Sequence, residues 1–485
     1  MAGVAVTPGP EEVGAGRIRL GTPAARGVLG ATILASGMAF LDGSVVNVAL
    51  RSIGEDFDAT LAQLQWISNG YLLTLASLIL LGGSLGDRFG RRRVFEIGVV
   101  WFAAASLLCG LAPTPELLIL ARLLQGVGGA LLTPGSLAIL QSVFAPEDRA
   151  RAIGAWTGLG GIAIAAGPFL GGALVEYVSW RWIFLINLPL AVATLVLSRA
   201  SIPETRDAEA PTSFDVGGAL LAAGGLGGIT YALIEWGRPS ALPAGLAGAA
   251  AIVGFLVLEG RRTQPMLPLE LFADRVFAAA NAMTLLVYAA LGAVSFFLVL
   301  QLQTVAGWGA LWAGVATLPI TLALLFLAER GGALGERVGP RIPLTVGPLT
   351  MAAGALLLLG VDAETTYWVD VLPGLVVFGL GLALMVAPLT ATVLAAAPDR
   401  HTGIASGVNN AVARTGSLLA VAALPVVVGL GGEEYADPVA LADGYRAAML
   451  ICAGLLAGGG VLSWAMLPAG RVGGTGEVTR ASEDA

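Results

Sequence analysis

Runs of about 20 apolar residues recur along this chain almost without pause, each long enough to cross ~30 Å of hydrocarbon as a helix. Fourteen can be counted, at 27–50, 64–86, 94–112, 116–140, 150–175, 180–198, 214–236, 242–259, 277–303, 309–328, 342–360, 369–395, 403–430 and 444–467. Of the 485 residues, 56% are hydrophobic and only 12% charged, and the mean hydropathy is +0.83. A soluble domain cannot bury that much apolar surface, which excludes an ordinary soluble enzyme, a nucleic-acid binder and a disordered scaffold. The net charge of −7 offers no basic face to phosphates.

The first run is too long for a signal peptide and carries Asp42, so it is expected to remain as a helix of the mature protein. With the N-terminus inside, twenty of the 26 arginines fall in inner segments. Only Arg51, Arg181, Arg238 and Arg446 fall outside, while Arg122 and Arg414 lie within helices. That bias predicts a multi-pass protein with both termini in the cytoplasm. Every basic residue is Arg and none is Lys, which suits a high-GC bacterial host and hence a bacterial plasma membrane.

Little in the chain suits catalysis. Cys109 and Cys452 each sit inside an apolar run and read as packing residues. The one histidine, His401, lies beside Asp399 and Arg400 in a short polar break and reads as a solvated loop residue. With no nucleophile–base pair and no metal constellation, the expectation is a protein that is not an enzyme and needs no metal or cofactor.

The segment GSLGDRFGRR (Gly83 to Arg92) returns as GALGERVGPR (Gly332 to Arg341), identical at six of ten positions and 249 residues later, with Glu336 in place of Asp87. At ~32 residues per span and loop, that offset corresponds to eight helices rather than six, so two helices are inserted between two halves. The predicted organisation is a tail over 1–26, a six-helix bundle over 27–198, a linker with two inserted helices over 199–276, a second six-helix bundle over 277–467 and a tail over 468–485.

LDGSVVNVAL (Leu41 to Leu50), GSLGDRFGRRRV, RLLQG (Arg122 to Gly126), GPFLGG (Gly167 to Gly172) followed by SWRWIFLINLP, and GIASGVNNAVARTG (Gly403 to Gly416) occur in that order. Together they resemble the motifs of the fourteen-helix drug/proton antiporters of the major facilitator superfamily, over almost the whole chain. The resemblance implies an all-helical transporter of two six-helix bundles plus two inserted helices. It further implies a functional monomer that exports a small hydrophobic drug or antibiotic by alternating access, with the proton as coupling ion. Proton-coupled uptake, or metabolite or lipid transport on the same fold, is the alternative within transport. A non-transporting membrane sensor or scaffold is the alternative outside it.

The residues also have physical readings. In the loop motif, Gly86 and Gly90 permit a tight reversal, and Asp87 among Arg88, Arg91, Arg92 and Arg93 can form a latch between helices. The repeat supplies Gly332, Glu336, Arg337 and Arg341 as its counterpart, while the plainer reading is that the arginines only anchor topology. In the fifth helix, Gly154, Gly158, Gly167 and Gly171 with Gly172 allow close approach, and Pro168 removes one backbone hydrogen bond, which suits a sliding or a static interface. Asp42 is the sharpest signal, since a carboxylate deep in a bilayer costs ~2.5 to 3.5 kcal/mol and a carboxyl in low dielectric readily accepts a proton. Counted from the helix ends, Asp42 lies ~12 Å and Arg122 ~9 Å below the outer surface, so Arg122 is expected to modulate Asp42 in proton coupling; a purely structural bridge is the rival. Asn281, Thr284, Tyr288 and Ser295 form a polar stripe on helix nine, which the resemblance places beside the central cavity. Ser406, Asn410 and Arg414 form a second stripe, and Asn47 and Gln125 complete the substrate candidates. Packing between helices would use such stripes as well. Trp66, Trp180 and Trp182 read as interface anchors. With Asp42 the one acid well inside the core and Arg122 and Arg414 set against it, a neutral or weakly anionic substrate is expected.

Overall fold

The computed structural model describes residues 18–207, 215–398, 401–431, 435 and 437–470. Residues 1–17 and 471–485 of the expected tails lie outside them, as do Arg400, Arg471 and Arg480 of the orientation argument. Fourteen membrane-length helices run through the described residues. They are α1 (Pro23–Phe57), α2 (Leu61–Phe89), α3 (Arg91–Leu111), α4 (Pro115–Val143), α5 (Pro146–Tyr177), α6 (Trp182–Ser201), α7 (Val216–Ile234), α8 (Ala241–Arg261), α9 (Arg275–Thr304), α10 (Ala310–Val338), α11 (Arg341–Gly360), α12 (Tyr367–Ala395), α13 (Thr402–Val427) and α14 (Pro438–Met466). Among the described residues the only extended pairing is one bridge between Ile18 and Phe144.

Local chemistry sets the ends. Thr22 caps α1 by accepting the Ala25 N–H, with Pro23 at the first position, and the helix stops where Asp58 turns left-handed at φ 49°. α1 thus runs seven residues beyond the expected end at residue 50, because a polar final turn closed by the Arg51–Glu55 ion pair at 2.8 Å is invisible to an apolar count. Thr60 and Gln63 make a capping box at the start of α2. α6 breaks near Ile186 ahead of Pro189, and α10 near Thr317 ahead of Pro319, each break permitting the new helix to start with proline in its first turn.

Each pairing in the first half recurs eight helices later. α2 packs on α4, α3 on α4 and α6, and α1 on α5 and α6; correspondingly α10 packs on α12, α11 on α12 and α14, and α9 on α13 and α14. The halves meet through α5 against α10 and α2 against α13, again an equivalent pair. The inserted α7 and α8 form a hairpin whose backbones touch at Gly228 and Gly248, where a Cβ on Gly228 would stand 2.9 Å from the Gly248 Cα. α7 lies against α2 and α13, whereas α8 is outermost, with Leu242, Leu246 and Val253 each at least 60% exposed to what is lipid in a membrane.

Candidate functional site

An ion pair is buried inside the first half. Arg122 Nη1 lies 2.5 Å from Asp42 Oδ2, with both side chains at most 1% exposed. Gln125 donates to Asp42 Oδ1 at 2.8 Å and to Ser106 at 2.8 Å, and Asn187 donates to the same hydroxyl at 3.3 Å. Arg122 also donates to the Ile67 carbonyl at 3.0 Å and to Gln125 Oε1 at 2.5 Å, while its guanidinium stands over the Tyr71 ring at 4.8 Å and the Phe184 ring at 5.6 Å. Five helices, α1, α2, α3, α4 and α6, therefore meet on one charge pair with both carboxylate oxygens occupied. Gln125, expected in the substrate cavity, is fully buried and belongs to this network instead. The outer-surface depths read from helix ends do not hold for Asp42, because α1 is longer than expected, yet the pair does share one level.

The loop motif carries a dock for the linker as well as a turn. Gly90 has φ 112°, open only to glycine, and a Cβ there would also strike the Glu204 carboxylate. Asp87 pairs with Arg91 at 2.7 Å across the turn; Glu204 accepts the N–H groups of Arg92 and Arg93; Arg91 N–H donates to Thr205 and Asp207 N–H to Asp87 O. Arg88 stacks on Phe89 at 5.6 Å, and Gly83 faces Pro134 of α4. In the repeat the position of Arg91 is Pro340, so the same ion pair cannot form beside Glu336. Arg341 instead lies 4.0 Å over Trp464, Gly332 and Gly335 face Ala387 and Pro388 of α12, and Gly339, at φ 80°, meets the backbone of Gly470. No hydrogen bond or ion pair of Arg337 is found among the described residues. Both copies thus present a positive-φ glycine to the chain that follows the last helix of their half.

In α5 the motif divides. Gly167 and Gly171 face Ser44 and Val45 of α1, Gly172 faces the Leu311 Cα of α10 at 2.6 Å for a built Cβ, and the Pro168 carbonyl abuts Gly314. Gly154 and Gly158, expected at the same close approach, face open space with nothing within 4 Å, because this part of α5 packs through its other face, where Ala152 is buried and Trp156 donates to Ser36 of α1.

The helix-nine stripe also divides. Asn281 and Thr284 are 2% and 0% exposed, and both accept hydrogen bonds from Asn409 of α13, at 3.2 and 2.8 Å. The expectation that these two line the cavity is corrected for this conformation: they join α9 to α13. Tyr288 is half-buried with its carbonyl bonded by Ser417, Ser295 is half-buried, Asn47 faces Ser68 at 3.5 Å, and Asn410 is exposed. Arg414 is half-buried on α13, the helix that packs against α2 and α9, with no ion pair among the described residues. Trp180, expected as an interface anchor, is 4% exposed and donates to Asp56, whereas Trp66 donates to Glu235 and Trp182 is exposed.

At the side away from the termini the halves are bolted together. Gln65 donates to the Val421 and Ala422 carbonyls at 2.7 and 3.1 Å, Gln303 to Val48 O at 2.9 Å, Arg51 to Gln303 O, Tyr435 to Ala59 O at 2.5 Å and Leu311 N–H to Glu176 at 2.8 Å. Sequence reasoning missed these residues, together with Ser106, Asn187, Glu204 and Asn409.

Two internally repeated helical halves, joined by an inserted hairpin and with an ion pair buried inside the first, define a multi-pass membrane transporter of the alternating type. The Major Facilitator Superfamily model matches residues 32–421 and 331–481, and the chain belongs to that family. It is similar to the tetracenomycin C resistance and export protein of Streptomyces glaucescens, 36% identical over 397 residues, covering 81% of this chain and 73% of that one. It is 35% identical over 447 residues to a puromycin resistance protein of Streptomyces alboniger, covering 88% of each. Among solved structures, a bacterial homolog of the human lysosomal transporter Spinster shares the fold at a TM-score of 0.66 and 18% identity, over 92% of this chain and 97% of that one.

Proposed function

We propose that this protein exports small hydrophobic drugs or antibiotics across a bacterial plasma membrane in exchange for protons, with both termini in the cytoplasm. The antibiotic-resistance relatives support the cargo class, and the buried Asp42–Arg122 pair is the single observation that carries the coupling. In the bridged state Asp42 is ionised and holds α1 against α4. A proton arriving at Asp42 removes the charge that Arg122 answers, leaving the guanidinium to Ile67 O, Gln125 and the two rings, and the α1–α4 contact loosens. With the termini inside, the bolted side is the exterior, so the bridged carboxylate accompanies the state sealed toward the outside. A proton falling through ~130 mV releases about 3 kcal/mol, enough for ~100-fold accumulation of a neutral cargo.

Asp42→Asn tests this. In inverted vesicles it should bind cargo and support cargo-for-cargo exchange while losing cargo uptake driven by a pH gradient. Undiminished gradient-driven transport would remove Asp42 from the coupling, and cargo-driven alkalinisation outside intact cells would turn the reading to uptake.

A further inference from the structure

The inserted hairpin carries chemistry that the two halves do not use. The chain enters α7 at Asp215 and leaves α8 through Glu259 and Arg262, so these residues close the base of the hairpin on the side of the termini. Asp215 caps α7, its Oδ1 accepting the Gly218 N–H at 2.6 Å and facing Arg262 at 3.0 Å. Glu259 Oε2 accepts the Leu267 N–H at 2.7 Å. The second oxygen of each carboxyl, Asp215 Oδ2 and Glu259 Oε1, is buried and has no hydrogen-bond partner. Both converge on one point, since a Cβ built on Gly218 would stand 2.5 Å from the first and 2.6 Å from the second. The two residues are only 7% and 2% exposed, so water does not separate them freely.

Buried carboxylates whose bare oxygens converge repel each other, and one proton between them replaces that repulsion with a short charge-assisted bond. We propose that Glu259 carries a proton on Oε1 and donates it to Asp215 Oδ2, forming a proton-sharing carboxyl pair that clasps the base of the inserted hairpin. Position assigns the proton. Asp215 lies at the N-terminal end of α7 beside Arg262, and both favour its ionised form, whereas Glu259 lies in the last turn of α8, where the helix dipole opposes negative charge. Among the described residues, the other ionisable groups beside the pair are Arg262, Glu270 of the short turn Leu269–Ala273, and His401 at the start of α13. With Glu259 they line a cavity of about 410 Å³, and the buried, unpartnered Nδ1 of His401 lies on its wall. His401, expected as a solvated loop residue, is half-buried there. Of the two carboxyl residues, Glu259 is the one that borders this cavity.

The clasp matters because the linker is already held at its other end, where Glu204, Thr205 and Asp207 dock on the loop motif. Releasing the proton sets two negative charges at the hairpin base and frees the start of α7 from the end of α8. The stabilisation is therefore present while the proton is bound and lost as the pH rises through its release.

Infrared spectroscopy of the purified full-length protein tests the proton, and thermal unfolding tests the clasp. A protonated-carboxyl carbonyl band should be present at neutral pH and absent from Glu259→Gln. It should also be absent from Asp215→Asn, which removes the facing charge and leaves Arg262 to hold Glu259 ionised. As the pH is raised from about 6 to about 9, the melting temperature should fall more steeply in the parent than in Glu259→Gln, whose amide donates to Asp215 at every pH. If Glu259→Gln does not fold, Asp215→Asn alone decides. A band unchanged in either variant, or a parental pH slope retained by Glu259→Gln, overturns the proposal.

Discussion

The Asp42–Arg122 pair has two members that respond differently to losing each other. Breaking a buried pair costs about 3 to 5 kcal/mol, because it leaves an uncompensated charge. Asp42 left alone in Arg122→Gln can be neutralised by a proton; Arg122 left alone in Asp42→Asn cannot lose its charge and has only Ile67 O, Gln125 and the Tyr71 and Phe184 rings to lean on. Lowering the pH should therefore restore thermal stability to Arg122→Gln and leave Asp42→Asn unimproved. The double variant should be less destabilised than the sum of the two, which a double-mutant cycle on detergent-purified protein reads directly. Both residues were legible in the sequence because a charge inside an apolar run is conspicuous. Ser106, Asn187 and Asn409 were not, since small polar residues are common in membrane helices and nothing in a one-dimensional pattern says which of them face each other. The Ile67 carbonyl that receives Arg122 has no sequence signature at all.

At the scale of one helix, α5 separates spacing from contact. Gly158 and Gly172 belong to the same glycine-rich run, yet a side chain at Gly158 would enter open space and one at Gly172 would enter the α10 backbone. Gly158→Leu should therefore leave expression and transport near parental levels, while Gly172→Leu should abolish transport or folding, as growth of a drug-sensitive host expressing each variant would report. Parental resistance with Gly172→Leu would mean that α5 and α10 do not touch in the working protein. The i, i+4 pattern announced that close packing was available but not along which part of the helix it is used, because the direction in which α5 leans depends on α1 and α10, far away in the chain. The loop motif was legible in part: of the two glycines expected to permit the tight reversal, Gly90 makes it at φ 112°, whereas Gly86 stays inside α2 and only accepts the Gly90 N–H. The linker's dock on it was not, since Glu204 lies more than a hundred residues away and is one acid among many.

For the whole molecule, the repeat offset of 249 residues foretold the recurrence of helix pairings eight helices later, a global property carried by a local copy. Native Cys109 and Cys452 are buried, so single cysteines introduced at Arg238→Cys and Arg206→Cys report topology with little background. The first should label from outside intact cells and the second only after permeabilisation. The charge of the cargo follows from how the core charges are spent. Asp42 is answered by Arg122, and Glu235 is held by Trp66 and by Arg238 at 2.9 Å. Arg414 is half-buried with no ion pair among the described residues, one helical turn from the exposed Asn410. An unpaired, half-buried guanidinium repels a fixed cation and welcomes a partial or full negative charge, so the cargo expected is a neutral or weakly anionic aromatic compound. Purified protein should bind an anionic dye such as fluorescein more tightly than the quaternary cation ethidium, and Arg414→Gln should erase most of that preference, a shift of about tenfold if one exposed charge contact of ~1.4 kcal/mol is lost. Tighter binding of ethidium by the parent protein, weakened by Glu235→Gln or Asp42→Asn, would instead place a carboxylate at the cargo and reverse the assignment.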